Sequence, residues 1–146
     1  MFNKLYKHCL DAKNRMRLPS KLRQGIVGDY YIVKGEGKWL DVLTQEQMDA
    51  KISELKKLPM HNVEIRKQIA NVMGSILKVE EDVQFRFILP GNLKSHAGID
   101  KDFVVIDGLF NIEVYSKEYW EAEIENSDMA ILTEKLDEIS KQDGNE

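Results

Sequence analysis

Over residues 15–18 the chain alternates Arg, Met, Arg, Leu, and a period of two places Arg15 and Arg17 on one face of a strand and Met16 and Leu18 on the other. The apolar face is the predicted core side. Upstream, residues 3–10 read as a strand of mixed polarity that ends where an Asp-Ala-Lys-Asn turn begins, and Asn14 stands where a left-handed backbone is tolerated. Pro19 ends the pairing, residues 20–24 predict a single helical turn, and Gly25 and Gly28 break the chain. A hairpin follows, with residues 30–33 and 39–43 as strands around a Gly-Glu-Gly turn. Thr44 and Gln47 form a capping box for a helix with Met48, Ile52 and Leu55 on one face. Pro59 stops it. Asn62 caps a second helix with Ile65, Ile69, Val72 and Met73 expected inward, and Gly74 suits its end.

From Ser75 the same order of elements recurs. Residues 81–94 match residues 10–23 at Asp82, Arg86, Leu89, Pro90 and Leu93, the counterparts of Asp11, Arg15, Leu18, Pro19 and Leu22. The repeat unit is strand, acid turn, strand, short helical turn, hairpin and helix, written twice. The second hairpin runs over residues 103–106 and 112–115 across Gly108, and Ser116 caps a helix whose Trp120 and Ile124 stand where Met48 and Ile52 stood. Residues 127–141 place Met129, Leu132, Leu136 and Ile139 at heptad-like spacing, which predicts a helix that docks on the body or on a neighbouring subunit. Residues 142–146 are expected to fray. The organisation is therefore a first half-module at residues 1–48, connecting helices at 49–74, a second half-module at 75–121 and an acidic helix and tail at 122–146.

A length of 146 residues with 42% hydrophobic content suffices for one packed core. No apolar run reaches a membrane span, and the first ten residues are too polar for a signal-peptide core, so a cytoplasmic chain without a membrane partner is expected. The single cysteine, Cys9, excludes an internal disulfide. Net charge is −4, yet residues 1–28 hold seven basic residues against Asp11 alone, while three lysines face ten acids from Lys117 onward. That asymmetry predicts a basic face on an acidic body.

The pattern LDAKNRMRLPSKLR, the second DVQFRFILP, the glycine-bearing hairpin after each and the closing YSKEYWE resemble the MraZ family over roughly residues 1–125. The resemblance implies a mainly β, α+β fold: a swapped-hairpin, AbrB-like β-barrel built from two internal repeats. It implies a nucleoid-associated regulator of transcription for the division and cell-wall gene cluster. Such proteins form ring-shaped homo-oligomers and bind short direct repeats of double-stranded DNA upstream of their own operon. By motif position the DNA-contacting candidates are Lys13 and Arg15 in the first copy and Arg86 in the second. Where the family usually has glycine before the arginine, this chain has Asn14 and Phe85. A phenylalanine is strained in a left-handed backbone, so the second turn is expected to differ in shape from the first.

Arginine suits phosphate and guanine edges because its planar fork donates two parallel hydrogen bonds, whereas Lys13 acts as a point charge on the backbone. Arg17 shares the face of Arg15 and extends the patch. The competing interpretation is that Arg15 and Arg86 only pair with Asp11 and Asp82, which serve as turn-formers and arginine-orienters. His8, Cys9, His61 and His96 lack metal-ligand spacing. No phosphate-binding glycine loop, nucleophile elbow or triad is present, so neither an enzyme, a cofactor nor a small-molecule substrate is expected. The tryptophans read as core. A protein-interaction module on the same scaffold, without DNA binding, is the alternative.

Overall fold

The structure is a computed structural model and describes residues 4–143. Its eight strands are β1 (Leu5–Cys9), β2 (Arg15–Met16), β3 (Tyr30–Lys34), β4 (Leu40–Thr44), β5 (Leu77–Lys78), β6 (Phe87–Ile88), β7 (Asp102–Asp107) and β8 (Ile112–Ser116). Six of them form one antiparallel sheet in the order β1-β7-β8-β4-β3-β5, and β2 and β6 pair separately as a two-stranded ribbon. The first strand of each half thus adds to the hairpin of the other half: β1 pairs with β7, and β5 pairs with β3. A closed barrel was the expectation; the sheet instead stays open with β1 and β5 as its edges. β1 contributes five paired residues at one edge and β5 only two at the other.

The two halves meet at two points of quasi-symmetry. In the ribbon, Met16 lies opposite Phe87, its own counterpart in the repeat. In the sheet, Asp41 lies opposite Glu113, again its counterpart. Around the first point the main core gathers Leu10, Met16, Leu18 and Ile26 with Phe87, Leu89, Leu93 and Ala97. Period-two alternation turns Met16 and Leu18 inward, as predicted, and Phe87 and Leu89 with them, while Leu93 and Ala97 come from the buried side of a short helix. Around the second, burial and the charge of Asp41 raise the Glu113 carboxyl above its ordinary range. Asp41 is held by hydrogen bonds from Trp39 Nε1 and Asn111 Nδ2. The Trp39 ring lies over Gly35 and Gly37, where a Cβ would collide with it, so this turn needs glycine at both positions.

The helices are α1 (Ser20–Gln24), α2 (Gln45–Leu55), α3 (Val63–Gly74), α4 (Gly91–Ala97), α5 (Lys117–Tyr119), which runs into a π-helical turn over Trp120–Ile124, and α6 (Met129–Asp143). The capping box at Thr44 and Gln47 is complete, and Asn62 and Ser116 cap α3 and α5 as predicted. Met48 is buried against Val33 and Leu43, and Trp120 against Val104 and Tyr115. Two expectations are corrected. On α3, Val72 and Met73 are exposed rather than inward. Ile65, Ile69 and Val72 of α3 line one apolar pocket with Leu55 and Leu58 at the end of α2. Of the two docking surfaces expected for α6, the body is not the one used: Met129, Leu132, Leu136 and Ile139 are all exposed on the single chain. The helix also continues through Gln142 and Asp143, while residues 144–146, expected to fray, lie outside the described residues.

Candidate nucleic-acid interface

An aspartate can close a turn by accepting hydrogen bonds from the backbone two and four residues on. In the first copy Asp11 Oδ1 accepts from the Lys13 and Arg15 N–H groups, each at 2.9 Å, and Oδ2 accepts from Arg15 Nε. The backbone closes on itself through Asp11 N–H to Arg15 C=O at 3.1 Å, with Asn14 at φ 57°. The Arg15 N–H, the Arg15 side chain and the Lys13 N–H hold the Asp11 carboxyl below its ordinary range against a weaker effect of burial.

The second turn repeats this bond for bond, which corrects the expectation that it differs in shape. Asp82 Oδ1 accepts from Gln84 N–H at 2.8 Å and Arg86 N–H at 3.0 Å, and Oδ2 accepts from Arg86 Nε at 3.0 Å. The Arg86 N–H is the chief reason that the Asp82 carboxyl is lowered too. Phe85 takes the left-handed conformation at φ 63°. The cost of that conformation for a residue with a Cβ is about 1–2 kcal/mol. It is offset by neighbours that spacing does not reveal: the guanidinium carbons of Arg17 and Arg23 lie 6.0 and 5.9 Å from the centre of the Phe85 ring. Each such contact is worth about 0.5–1 kcal/mol at an exposed site.

Arg23 is itself fixed. Glu81 accepts from Arg23 Nε at 3.0 Å, from Arg23 Nη2 at 2.8 Å and from the Tyr30 hydroxyl at 2.8 Å. Burial pushes the Glu81 carboxyl up, but the bonds from Arg23 and Tyr30 outweigh it and leave it lowered. Glu81 stands where the first copy has Leu10, so the repeat gives no hint of this bridge.

β2 and β6 bring the two turns side by side. Arg86 Nη1 lies 3.9 Å from Asp11 Oδ2, and Lys94 Nζ donates to Asn14 Oδ1 at 3.0 Å. The buried residues of the ribbon are Met16 and Phe87; its outer face carries Arg15 and Arg17 from one strand and Arg86 and Ile88 from the other. Lys13 is exposed at the tip of the first turn and makes no ion pair among the described residues. All four predicted residues therefore converge on one surface. Arg15 and Arg86 also make the predicted pairs with aspartate, but these engage Nε, on one edge of each guanidinium. Sequence reasoning missed Phe85, Arg23 and Lys94 as parts of this surface. Only the pairing of the two turns reveals them.

A chain with two such turns and this element order can be compared with known proteins. The curated "Transcriptional regulator MraZ" of Clostridium beijerinckii is 36% identical over 140 residues, covering 95% of this chain and 99% of the relative. The chain belongs to the MraZ family. The protein of the same name from Lachnoclostridium phytofermentans is 38% identical over 122 residues, covering 84% of this chain and 86% of the relative. That of Clostridium botulinum is 35% identical over 140 residues, covering 95% and 99%. The family model described as "MraZ protein, putative antitoxin-like" matches residues 76–141, so the MraZ match includes the turn bearing Phe85 as well as most of α6. No helix among the described residues is long and apolar enough to cross a membrane.

Proposed function

We propose that this MraZ-family chain is a sequence-specific regulator of transcription that binds duplex DNA through its paired Asp-x-x-x-Arg turns. The observation that carries the reading is the convergence of Lys13, Arg15, Arg17 and Arg86 on the outer side of the β2–β6 ribbon, on a protein whose net charge is −4. A two-stranded β-ribbon fits the major groove, and arginine side chains held at its rim match guanine edges and phosphates. The aspartates hold each guanidinium in one orientation while its terminal amino groups keep donors to offer. Relatives named as transcriptional regulators support the same role.

In this reading the DNA consists of short repeated boxes upstream of the protein's own operon, in the division and cell-wall gene cluster, and the protein works at the nucleoid. The fold is two AbrB-like half-modules in one chain, and the exchange of β1 and β5 between halves is consistent with that. A single protomer neutralises few phosphates, so several copies in a ring would gain affinity by avidity. The exposed apolar stripe of α6 also favours a second reading, an interaction module without DNA contact. One experiment separates them: binding of the wild type and Arg15→Ala to the DNA upstream of the gene across a salt series. The DNA reading expects salt-sensitive binding that Arg15→Ala weakens. Equal binding by both proteins at every salt concentration removes the role of Arg15, and no retention even at low salt removes the DNA reading.

A further inference from the structure

The two turns share a backbone but display different chemistry. Ala12, Lys13, Asn14 and Arg17 of the first copy are replaced in the second by Val83, Gln84, Phe85 and Ile88. Val83 is 95% exposed, Ile88 64% and Phe85 50%. One exposed apolar residue on a surface needs no explanation; three around a single turn, bordered by arginines, form a shaped apolar feature. Phe85 is moreover preorganised. Its left-handed backbone and the Arg17 and Arg23 guanidiniums hold the ring, and Arg23 is in turn anchored by Glu81. A cavity of about 330 Å³ opens beside it, lined by Arg17, Leu18, Ser20, Arg23, Gln24 and Phe85.

Resting on the DNA-binding reading, we propose that the second turn reads thymine: Val83 and Phe85 contact thymine C5-methyl groups in the major groove while Arg86 takes the adjacent base edge or phosphate. The C5-methyl is the apolar mark that the major groove exposes, and aliphatic and aromatic side chains are what recognise it. The flanking arginines argue for a polyanion over an apolar protein partner, because docking a protein there would bury Arg17 and Arg86 beside an apolar surface. The two turns of one chain are then unequal readers. The first, with Lys13 and Arg17, supplies charge, and the second supplies methyl recognition.

The test uses the full chain and the fragment upstream of its gene, amplified with either dTTP or dUTP. Uracil keeps every hydrogen bond of thymine and lacks only the methyl. Wild type is expected to bind the uracil duplex about fourfold more weakly for each thymine methyl that the turn touches, the equivalent of ~0.8 kcal/mol per methyl-sized group. Val83→Ala and Phe85→Asn, which install the residues of the first copy, are each expected to shrink that ratio, and the double variant to bring it near one. Val83 is almost fully exposed, so its single variant keeps the test valid if the double variant unfolds. A wild type that binds both duplexes equally overturns methyl recognition while leaving DNA binding intact. Discrimination that survives in the variants overturns the assignment to this turn. Failure to bind either duplex across the salt series overturns the DNA-binding reading itself.

Discussion

Arg86 Nη1 lies 3.9 Å from Asp11 Oδ2, although the two residues belong to different copies of the repeat and each arginine already pairs with the aspartate of its own turn. The two turns are therefore electrostatically one unit, and Arg86 has the same local support as Arg15. On the DNA reading, Arg86→Ala is expected to weaken binding about as much as Arg15→Ala. The loss should be about fivefold or more, since a bidentate contact to a base is worth ~1–3 kcal/mol. Titration of both variants on one DNA fragment checks this, and an unchanged affinity for Arg86→Ala would assign the second arginine to scaffold alone.

Lys13 stands at the tip of the first turn as a single charge on a flexible stem. Lys13→Ala is expected to weaken specific and unrelated duplexes alike and to lower the slope of log affinity against log salt by about one. A loss confined to the specific sequence would instead give Lys13 a role in base recognition.

The aspartate turns carry a pH dependence of definite sign. Both carboxyls are lowered in the folded protein, chiefly by the Arg15 and Arg86 backbone N–H groups. A lowered carboxyl adds stability that is fully present above its unfolded value, near 3.8, and is lost as pH falls through the lower folded value. The turns are thus expected to stay closed at pH 5 and to open only in stronger acid. Amide resonances of Arg15 and Arg86 followed through an acid titration would report it; movement centred near pH 6 would contradict the assignment.

Glu113 has the opposite sign. Burial, helped by the charge of Asp41 across the β4–β8 pair, raises its carboxyl. A raised carboxyl favours the fold when protonated, and that contribution disappears as pH rises through the folded value. At neutral pH two like charges then face each other. Glu113→Gln is expected to stabilise the protein at pH 7 by about 0.2–1 kcal/mol, the range for cross-strand pairs, with the gain shrinking toward pH 4. The Tyr115 hydroxyl bonds to Glu113 and opposes this rise; urea unfolding at the two pH values measures the balance, and a variant less stable at pH 7 would show that this bond dominates.

For Phe85 two effects oppose each other. Asparagine, which occupies this place in the first turn, relieves roughly 1 kcal/mol of left-handed strain and forfeits two cation–π pairs of about 0.5 kcal/mol each. Phe85→Asn is therefore expected to unfold within about 0.5 kcal/mol of wild type. A loss above about 2 kcal/mol would mean that the ring packs as core and is not a displayed group.

What the sequence determined by itself is everything set within a few residues. The repeat, the inward turn of Met16 and Leu18, the left-handed Asn14, the capping box at Thr44 and the hairpins all follow from local hydrogen bonds and side-chain alternation. Lys13, Arg15 and Arg86 could be nominated because their short motif resembles that of the family, and Arg17 because alternation puts it on the face of Arg15. Tertiary structure decided the rest. Which hairpin β1 and β5 join, and that the sheet between them stays open, depends on pairings between residues far apart in the chain. Phe85 adopts a backbone that its own chemistry disfavours because Arg17 and Arg23 reach it from elsewhere. Val72, Met73 and the apolar side of α6 read as buried from spacing alone, yet periodicity states only that a face is apolar. Whether something covers that face depends on where the rest of the fold lies.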